Sequence, residues 1–160
     1  MTEAPISILV VDDHPLFRQG VVGALGKEPD LNVVAETASG EEALELARRL
    51  LPDVVLLDIS MPGWDGITTA ERLTTACPAT AIVMLTISEE KDKLLAALKA
   101  GARGYVLKGV APKELAQVVR RAAAGEVYVS PSIAAEMLVT LTRAPAPDPL
   151  QELTDREREI

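Results

Sequence analysis

Two short segments, ISILVVDD and VVLLD, run apolar up to an aspartate and stop there. Aliphatic, largely β-branched runs of this length with no polar alternation are strands buried on both faces, which confines them to a parallel sheet covered by helices. Such a sheet binds ligands outside the carboxyl ends of its strands, where Asp12, Asp13 and Asp58 stand. If the two strands are neighbours, the three acids share one small pocket, and like charges so close require a cation. Carboxylate oxygens are hard ligands, so Mg2+ is the expected ion.

The rest of the chain fits that architecture, alternating strand and helix five times. Pro15 suits a first helical turn, and Leu16, Phe17, Val21 and Leu25 share one helical face. A second strand is expected over residues 31–38. Ser39 and Glu42 then have capping-box spacing, and Ala43, Ala47 and Leu50 continue at core spacing until Pro52. The third strand, Val54–Asp58, enters the turn-rich loop ISMPGWDG, and a helix follows over residues 67–76. The fourth strand is Ala81–Thr86. Leu94, Leu95 and Leu98 form the core stripe of the next helix, which Gly101 ends. Residues 104–108 make the fifth strand. Pro112 opens a fifth helix, with Leu115, Val118, Val119 and Ala122 inward and Gly125 at its end. Such an alternation implies a parallel sheet covered on both faces, for which right-handed crossovers leave few topologies.

Beyond Gly125 the pattern changes. SPSIAAEMLVTL reads as an extra linker helix with Ile133, Met137 and Leu141 on one stripe, and APAPDP as a stiff extended connection. In LTDREREI, Thr154 and Glu157 form another capping box, a helix start too short to fold alone. The expected division is a domain over residues 5–126, a linker over 127–150, and the start of a second domain over 151–160.

Composition narrows the function. A chain of 160 residues supports one cored domain with an appendage. A net charge of -8 makes it a poor candidate for gripping a phosphodiester backbone by itself. Cys77 is the only cysteine, which excludes an internal disulfide and suits a reducing compartment. MTEAPIS lacks the marks of a signal peptide, and no apolar run approaches the ~18 residues of a membrane span. A cytoplasmic location without membrane contact is expected.

Asp12 with Asp13, Asp58, Thr86 and Lys108 each close a different expected strand. Together with the stretches VVDDHPLFRQG, VVLLDISMPGWDG, AIVMLT and GYVLKG, they make residues 5–126 resemble the receiver domain of two-component response regulators. The single pieces are weak signals; their combination in this order is highly specific. DDHPLFRQG, the KG after the fifth strand, and LTDREREI are similar to the NarL/FixJ subfamily, in which an equivalent segment opens a LuxR-type helix-turn-helix domain.

The resemblance implies a doubly wound α/β, flavodoxin-like (βα)5 fold with a parallel five-stranded sheet of order 2-1-3-4-5, plus the linker helix. It implies that Asp58 receives a phosphoryl group from the phosphohistidine of a sensor histidine kinase. Mg2+ would be held by Asp13 and Asp58 directly, by Asp12 through water, and by the backbone carbonyl of Ser60. Lys108 would pair with Asp58 or the phosphoryl oxygens. Thr86 would donate its hydroxyl to the phosphoryl group. Tyr105 would turn inward and alter the surface around the fourth helix and fifth strand. Homodimerisation on phosphorylation is expected through the first and fifth helices or the fourth-helix face. Promoter DNA would be contacted only through the region beyond Ile160, and no enzymatic turnover is implied.

Each residue also has a plainer reading. A strand-end Asp commonly caps the next helix, a strand-end Lys is commonly a solvated charge, and Thr and Tyr suit strands in any case. The convergence of all of them favours the site. His14, the only histidine, is read as a helix-start residue without chemical duty. Trp64 is read as either a cover for the site or a surface aromatic. Ile87 stands where receivers usually carry a small residue and is expected to shield Asp58 in part. A haloacid-dehalogenase-type phosphohydrolase would need a second acid two residues after its nucleophile, where Ser60 stands. A dinucleotide enzyme would need a glycine-rich turn after the first strand. A stand-alone receiver acting by protein binding would have no use for APAPDP and LTDREREI.

Overall fold

The computed structural model describes residues 5–87 and 91–129. The strands are β1 (Ile6–Val11), β2 (Leu31–Thr37), β3 (Val54–Asp58), β4 (Ala81–Thr86), β5 (Gly104–Leu107) and β6 (Tyr128–Val129). The helices are α1 (Pro15–Gly26), α2 (Gly40–Leu50), α3 (Gly66–Ala76), α4 (Lys91–Lys99) and α5 (Pro112–Ala123). All strand pairs are parallel, and the sheet order is β2-β1-β3-β4-β5-β6. The expected doubly wound order is therefore present, with one strand added at the β5 edge. The expected linker helix and the start of a second domain lie outside the described residues.

The sheet is parallel because its inner strands have no polar face to offer water. Every residue of β3 and β4 is buried, so both faces must be covered. Ile8, Val10, Leu56, Val83, Leu85 and Val106 pack with Val21 and Leu25 of α1 and with Leu115, Val118, Val119 and Ala122 of α5. Strand residues of the opposite parity, among them Leu9, Leu57 and Met84, are buried on the other side, where α2, α3 and α4 lie in sequence. Strand β2 is the exception that its place explains: it stands at the edge and alternates between buried and exposed positions.

Four apolar positions expected in helix cores are not there. Leu16 is 85% exposed and Leu95 49%, Leu50 is exposed, and Leu98 is only half-buried. The small residues Ala43, Ala47 and Ala97 take the closest approach to the sheet instead, being 0% exposed. Leu16 and Leu50 sit at helix termini, in the first turn of α1 and at the last residue of α2. Leu95 is rotated about a quarter turn from the inward Leu94.

The helix ends follow local chemistry. The Ser39 hydroxyl accepts the Glu42 N–H at 3.1 Å, as the capping spacing requires. The reciprocal arm differs: the Ser39 N–H donates to the Thr37 hydroxyl at 3.2 Å, and that hydroxyl in turn donates to the Glu42 carboxylate. Gly101 adopts φ 104° just past α4, the left-handed geometry that glycine takes without strain.

Helix α5 is tied to the far end of the sheet by one guanidinium. Arg120 Nε and Nη2 donate to the two carboxylate oxygens of Asp30 at 2.7 and 2.9 Å, and Nη2 also donates to Glu28 at 2.5 Å. The side-chain hydrogen bond from Arg120 holds the Asp30 carboxyl below its ordinary value. A lowered folded-state pKa contributes stability above the unfolded value and loses it as pH falls through the folded one. Arg120→Met is expected to lower the thermal midpoint at neutral pH, and the gap from the parent should close in acid; an undiminished gap there would separate Asp30 from the effect. Gly66 opens α3 hard against the end of β3, where a Cβ would meet the Asp58 carbonyl oxygen and lie 2.5 Å from Ile59 Cα. Gly66→Ala is expected to cost about 1–3 kcal/mol in denaturant unfolding, since backbone rather than a movable side chain must give way.

Candidate active site at the carboxyl ends of the strands

Register places the acids together. In β1 and β3, Val11 stands opposite Leu57, so the residues that follow, Asp12 and Asp58, emerge side by side. Asp12 is 0% exposed and Asp58 2%. In β4 and β5, Thr86 stands opposite Leu107, which delivers Lys108 to the same rim. The Lys108 N–H donates to the Thr86 carbonyl at 2.7 Å, fixing the backbone from which the lysine side chain leaves.

The Lys108 ammonium lies 3.0 Å from Asp12 Oδ2 and 3.2 Å from Asp58 Oδ2. These contacts are ion pairs by distance, but the two oxygens have no partner in hydrogen-bond geometry. The other oxygen of each acid is occupied locally. Asp12 Oδ1 accepts the His14 N–H at 2.8 Å, and Asp58 Oδ1 accepts the Ser60 N–H at 3.1 Å. The capping reading of Asp12 is thus half true: one oxygen fastens the loop, and the other faces the pocket. Asp13 is partly exposed, with its Oδ1 lacking a hydrogen-bond partner.

Burial pushes the Asp58 carboxyl above its ordinary value, and the neighbouring charge of Asp12 pushes the same way. The Ser60 amide and the Lys108 ammonium act in the opposite direction and do not cancel the rise. Three carboxylates facing one ammonium leave the pocket short of positive charge, and buried oxygens without hydrogen bonds are what a hard divalent cation would satisfy. One donor atom each from Asp12, Asp13, His14 and Asp58 lies within 4.8 Å of the others. The all-oxygen part of this set fits Mg2+.

His14 is closer to the chemistry than its sequence context suggests. Its Nδ1 lies 3.2 Å from Asp12 Oδ1, 3.3 Å from Asp13 Oδ1, 3.6 Å from Asp58 Oδ2 and 3.4 Å from Lys108 Nζ. The ring is 64% exposed, so it forms the outer wall of the pocket. Nothing in the spacing Asp-Asp-His-Pro gives that orientation; it follows from the loop turning back to let the His14 amide reach Asp12. Two further residues were legible only as helix positions. Arg18 donates from Nη1 to the Asp12 carbonyl at 2.6 Å and from Nε to Glu36 at 2.9 Å, and Phe17 faces Lys108.

Thr86 is 1% exposed at the end of β4, and the whole Tyr105 side chain is buried in β5, fuller burial than that of an ordinary half-exposed strand tyrosine. For Ser60 the described contact is its N–H on Asp58, not its carbonyl. Ile87, the residue just past β4, is 83% exposed. Trp64 stacks with Arg72 of α3 at 5.1 Å and lies against Gly40, so it belongs to the α2–α3 side instead of covering the acids. Asp65 caps α3, accepting the Thr68 N–H at 2.8 Å.

Comparison with known proteins agrees with this geometry. Residues 8–120 match the response regulator receiver domain family. The nitrate/nitrite response regulator protein NarL of Escherichia coli K12 is 38% identical over 160 residues, covering 99% of this chain and 74% of that protein. The response regulator GacA of Pseudomonas aeruginosa is 38% identical over 156 residues, 97% of this chain and 73% of its own. Among solved structures, the signal receiver domain of a NarL response regulator from Mycobacterium tuberculosis superposes with a TM-score of 0.75 at 39% identity, covering 78% of this chain and all of that one. A LuxR-family two-component response regulator from Aurantimonas sp. SI85-9A1 gives 0.83 at 35% identity, over 87% and 99% of the two chains. With the acid pocket, the strand-end lysine and these relatives in agreement, the chain belongs to the response regulator receiver domain family, in its NarL/LuxR-type branch.

Proposed function

We propose that this chain is the phosphoacceptor of a two-component pathway, with Asp58 as the residue that is phosphorylated. The observation that carries the reading is the division of labour at Asp58: one oxygen is held by the Ser60 amide, and the other faces the shared pocket beside Lys108. Asp58 Oδ2 attacks the phosphorus of a sensor histidine kinase's phosphohistidine. The P–O bond forms as the P–N bond breaks, and the imidazole departs with the electron pair. Asp13 and Asp58 would hold Mg2+ directly, Asp12 through water, and Ser60 through its carbonyl; when bound, the ion supplies neutralisation of the phosphoryl charge. Lys108 supplies the remaining fixed positive charge, and transfer otherwise needs little beyond in-line positioning. The chain does not turn over a substrate; it carries and loses its own phosphoryl group.

Thr86 is pulled toward the site as it donates its hydroxyl to the new phosphoryl oxygens, and Tyr105 is the ring whose packing reports that movement. The buried ring is one of two packings, and driving most molecules from one to the other takes on the order of 3–5 kcal/mol of differential stabilisation. The surfaces affected lie on α1 and α5 or around α4 and β5, through which phosphorylated copies pair as homodimers. The output is transcription regulation, with promoter DNA gripped by a helix-turn-helix domain that LTDREREI begins. Because β6 belongs to the sheet, we place the start of the linker after Val129 and keep 151–160 as the opening of that second domain. The site of action is the cytoplasm; among the described residues no helix is long and apolar enough to cross a membrane.

Incubation with acetyl phosphate and Mg2+, read by intact mass, tests the assignment. One phosphoryl group is expected on the parent chain, none on Asp58→Asn, and none when the ion is removed with a chelator. A parent chain that stays unmodified, or an Asp58→Asn chain that is modified equally, would overturn it.

A further inference from the structure

Lys108 reaches the acids across the face of an aromatic ring. Its ammonium lies 4.7 Å from the centre of the Phe17 ring, while standing 3.0 Å from Asp12 and 3.2 Å from Asp58. The face of an aromatic ring carries negative potential, so ring and carboxylates draw on the same positive charge. A lysine stem is long and flexible, and keeping its head in one place has an entropic cost that neighbouring groups must offset.

Shape alone does not hold this head. A cavity of about 290 Å3 lies beside it between α1 and α5, lined by Phe17, Val21, Leu85, Lys108, Val110 and Leu115. On that side the lysine borders the cavity, and the Phe17 ring is the group that faces its ammonium opposite the two carboxylates. The ring itself is well anchored. It packs against the apolar cluster of the α1–α5 face, and its helical turn is tied down by Arg18, whose N–H donates to the His14 carbonyl at 2.9 Å and whose Nη1 donates to the Asp12 carbonyl at 2.6 Å.

We propose that Phe17 is a positioning residue for phosphoryl transfer at Asp58: its ring face holds the Lys108 ammonium over Asp12 and Asp58, so the cation stands in place before the phosphoryl charge arrives. The proposal rests on Asp58 being the phosphoacceptor and deepens that reading. Charge stabilisation that is already oriented needs no reorganisation during the reaction, which is where such a contact acts. Phe17 touches neither Asp58 nor the transferred group in this account; it works through Lys108.

The test is a series at position 17 read by the rate of adduct formation with acetyl phosphate and Mg2+. Phe17→Tyr and Phe17→Trp keep a ring, and the adjoining cavity has room for the added atoms. Phe17→Leu removes the ring, and pentafluorophenylalanine at 17 keeps a ring of similar shape with its face potential reversed. Tyr and Trp should react within about twofold of the parent, while Leu and the fluorinated ring slow the reaction roughly three- to tenfold. The Lys108 ε-methylene protons should show an upfield ring-current shift in the parent, retained with Tyr and lost with Leu. Equal rates for the fluorinated and parent rings would overturn the proposal, as would slowing that tracks a lower thermal midpoint across every variant. A parent chain that takes no phosphoryl group at all would sink the assignment of Asp58, and the positioning role with it; an adduct on Asp58 with a flat series would sink the positioning role alone.

Discussion

One ammonium group allows two aspartates to be buried at the end of a parallel sheet. Asp12 and Asp58 are 0% and 2% exposed, and a buried carboxylate left without compensation costs several kcal/mol. Lys108 supplies part of that compensation, and it can do so because strand pairing brings β5 to the same rim as β1 and β3. The remaining compensation comes from main-chain amides, those of His14 and Ser60. The pocket is therefore held between two demands. It is satisfied well enough to fold, while burial, together with the neighbouring charge of Asp12, still holds the Asp58 carboxyl above its ordinary value. Under the function proposed above, this is the balance that an arriving phosphoryl charge would act on.

How much of this could be read from the amino acids differs by kind of interaction. The sheet and the positions of Asp12, Asp58, Thr86 and Lys108 were legible, because apolar runs without alternation admit few alternatives and each ends at a chemically distinct residue. Helix faces were less so. Leu16 and Leu95 obey helical spacing yet face water, since spacing narrows the inward face only to a stripe and does not say which of two adjacent leucines points at the sheet or how a helix end is covered. Side-chain pairing across loops was not legible at all. His14 and Phe17 meet the site only because the turn after β1 folds back on Asp12, and no pattern of residue types carries that geometry.

The same division applies to the ends of the domain. Val127, Tyr128 and Val129 suit a strand, but two paired residues after Gly125 fall below what periodicity can resolve. What holds them is tertiary: the Tyr128 N–H donates to the Arg103 carbonyl at 2.8 Å, its hydroxyl donates to Glu114 of α5 at 3.1 Å, and Arg121 stands 5.9 Å from its ring. A short element of this sort is specified by its neighbours, whereas β3 and β4 are specified by their own composition.

That short strand has a consequence for how the molecule behaves in a crowded solution. An open sheet offers its last strand's amides and carbonyls to any extended polypeptide nearby, the usual route to edge-to-edge association. Here β6 covers the main chain of Gly104 and Tyr105, and the opposite margin, β2, presents exposed Asn32 and Glu36. One margin is thus partly covered by the chain's own last strand, and the other sets the polar Asn32 and Glu36 on either side of the exposed Val34.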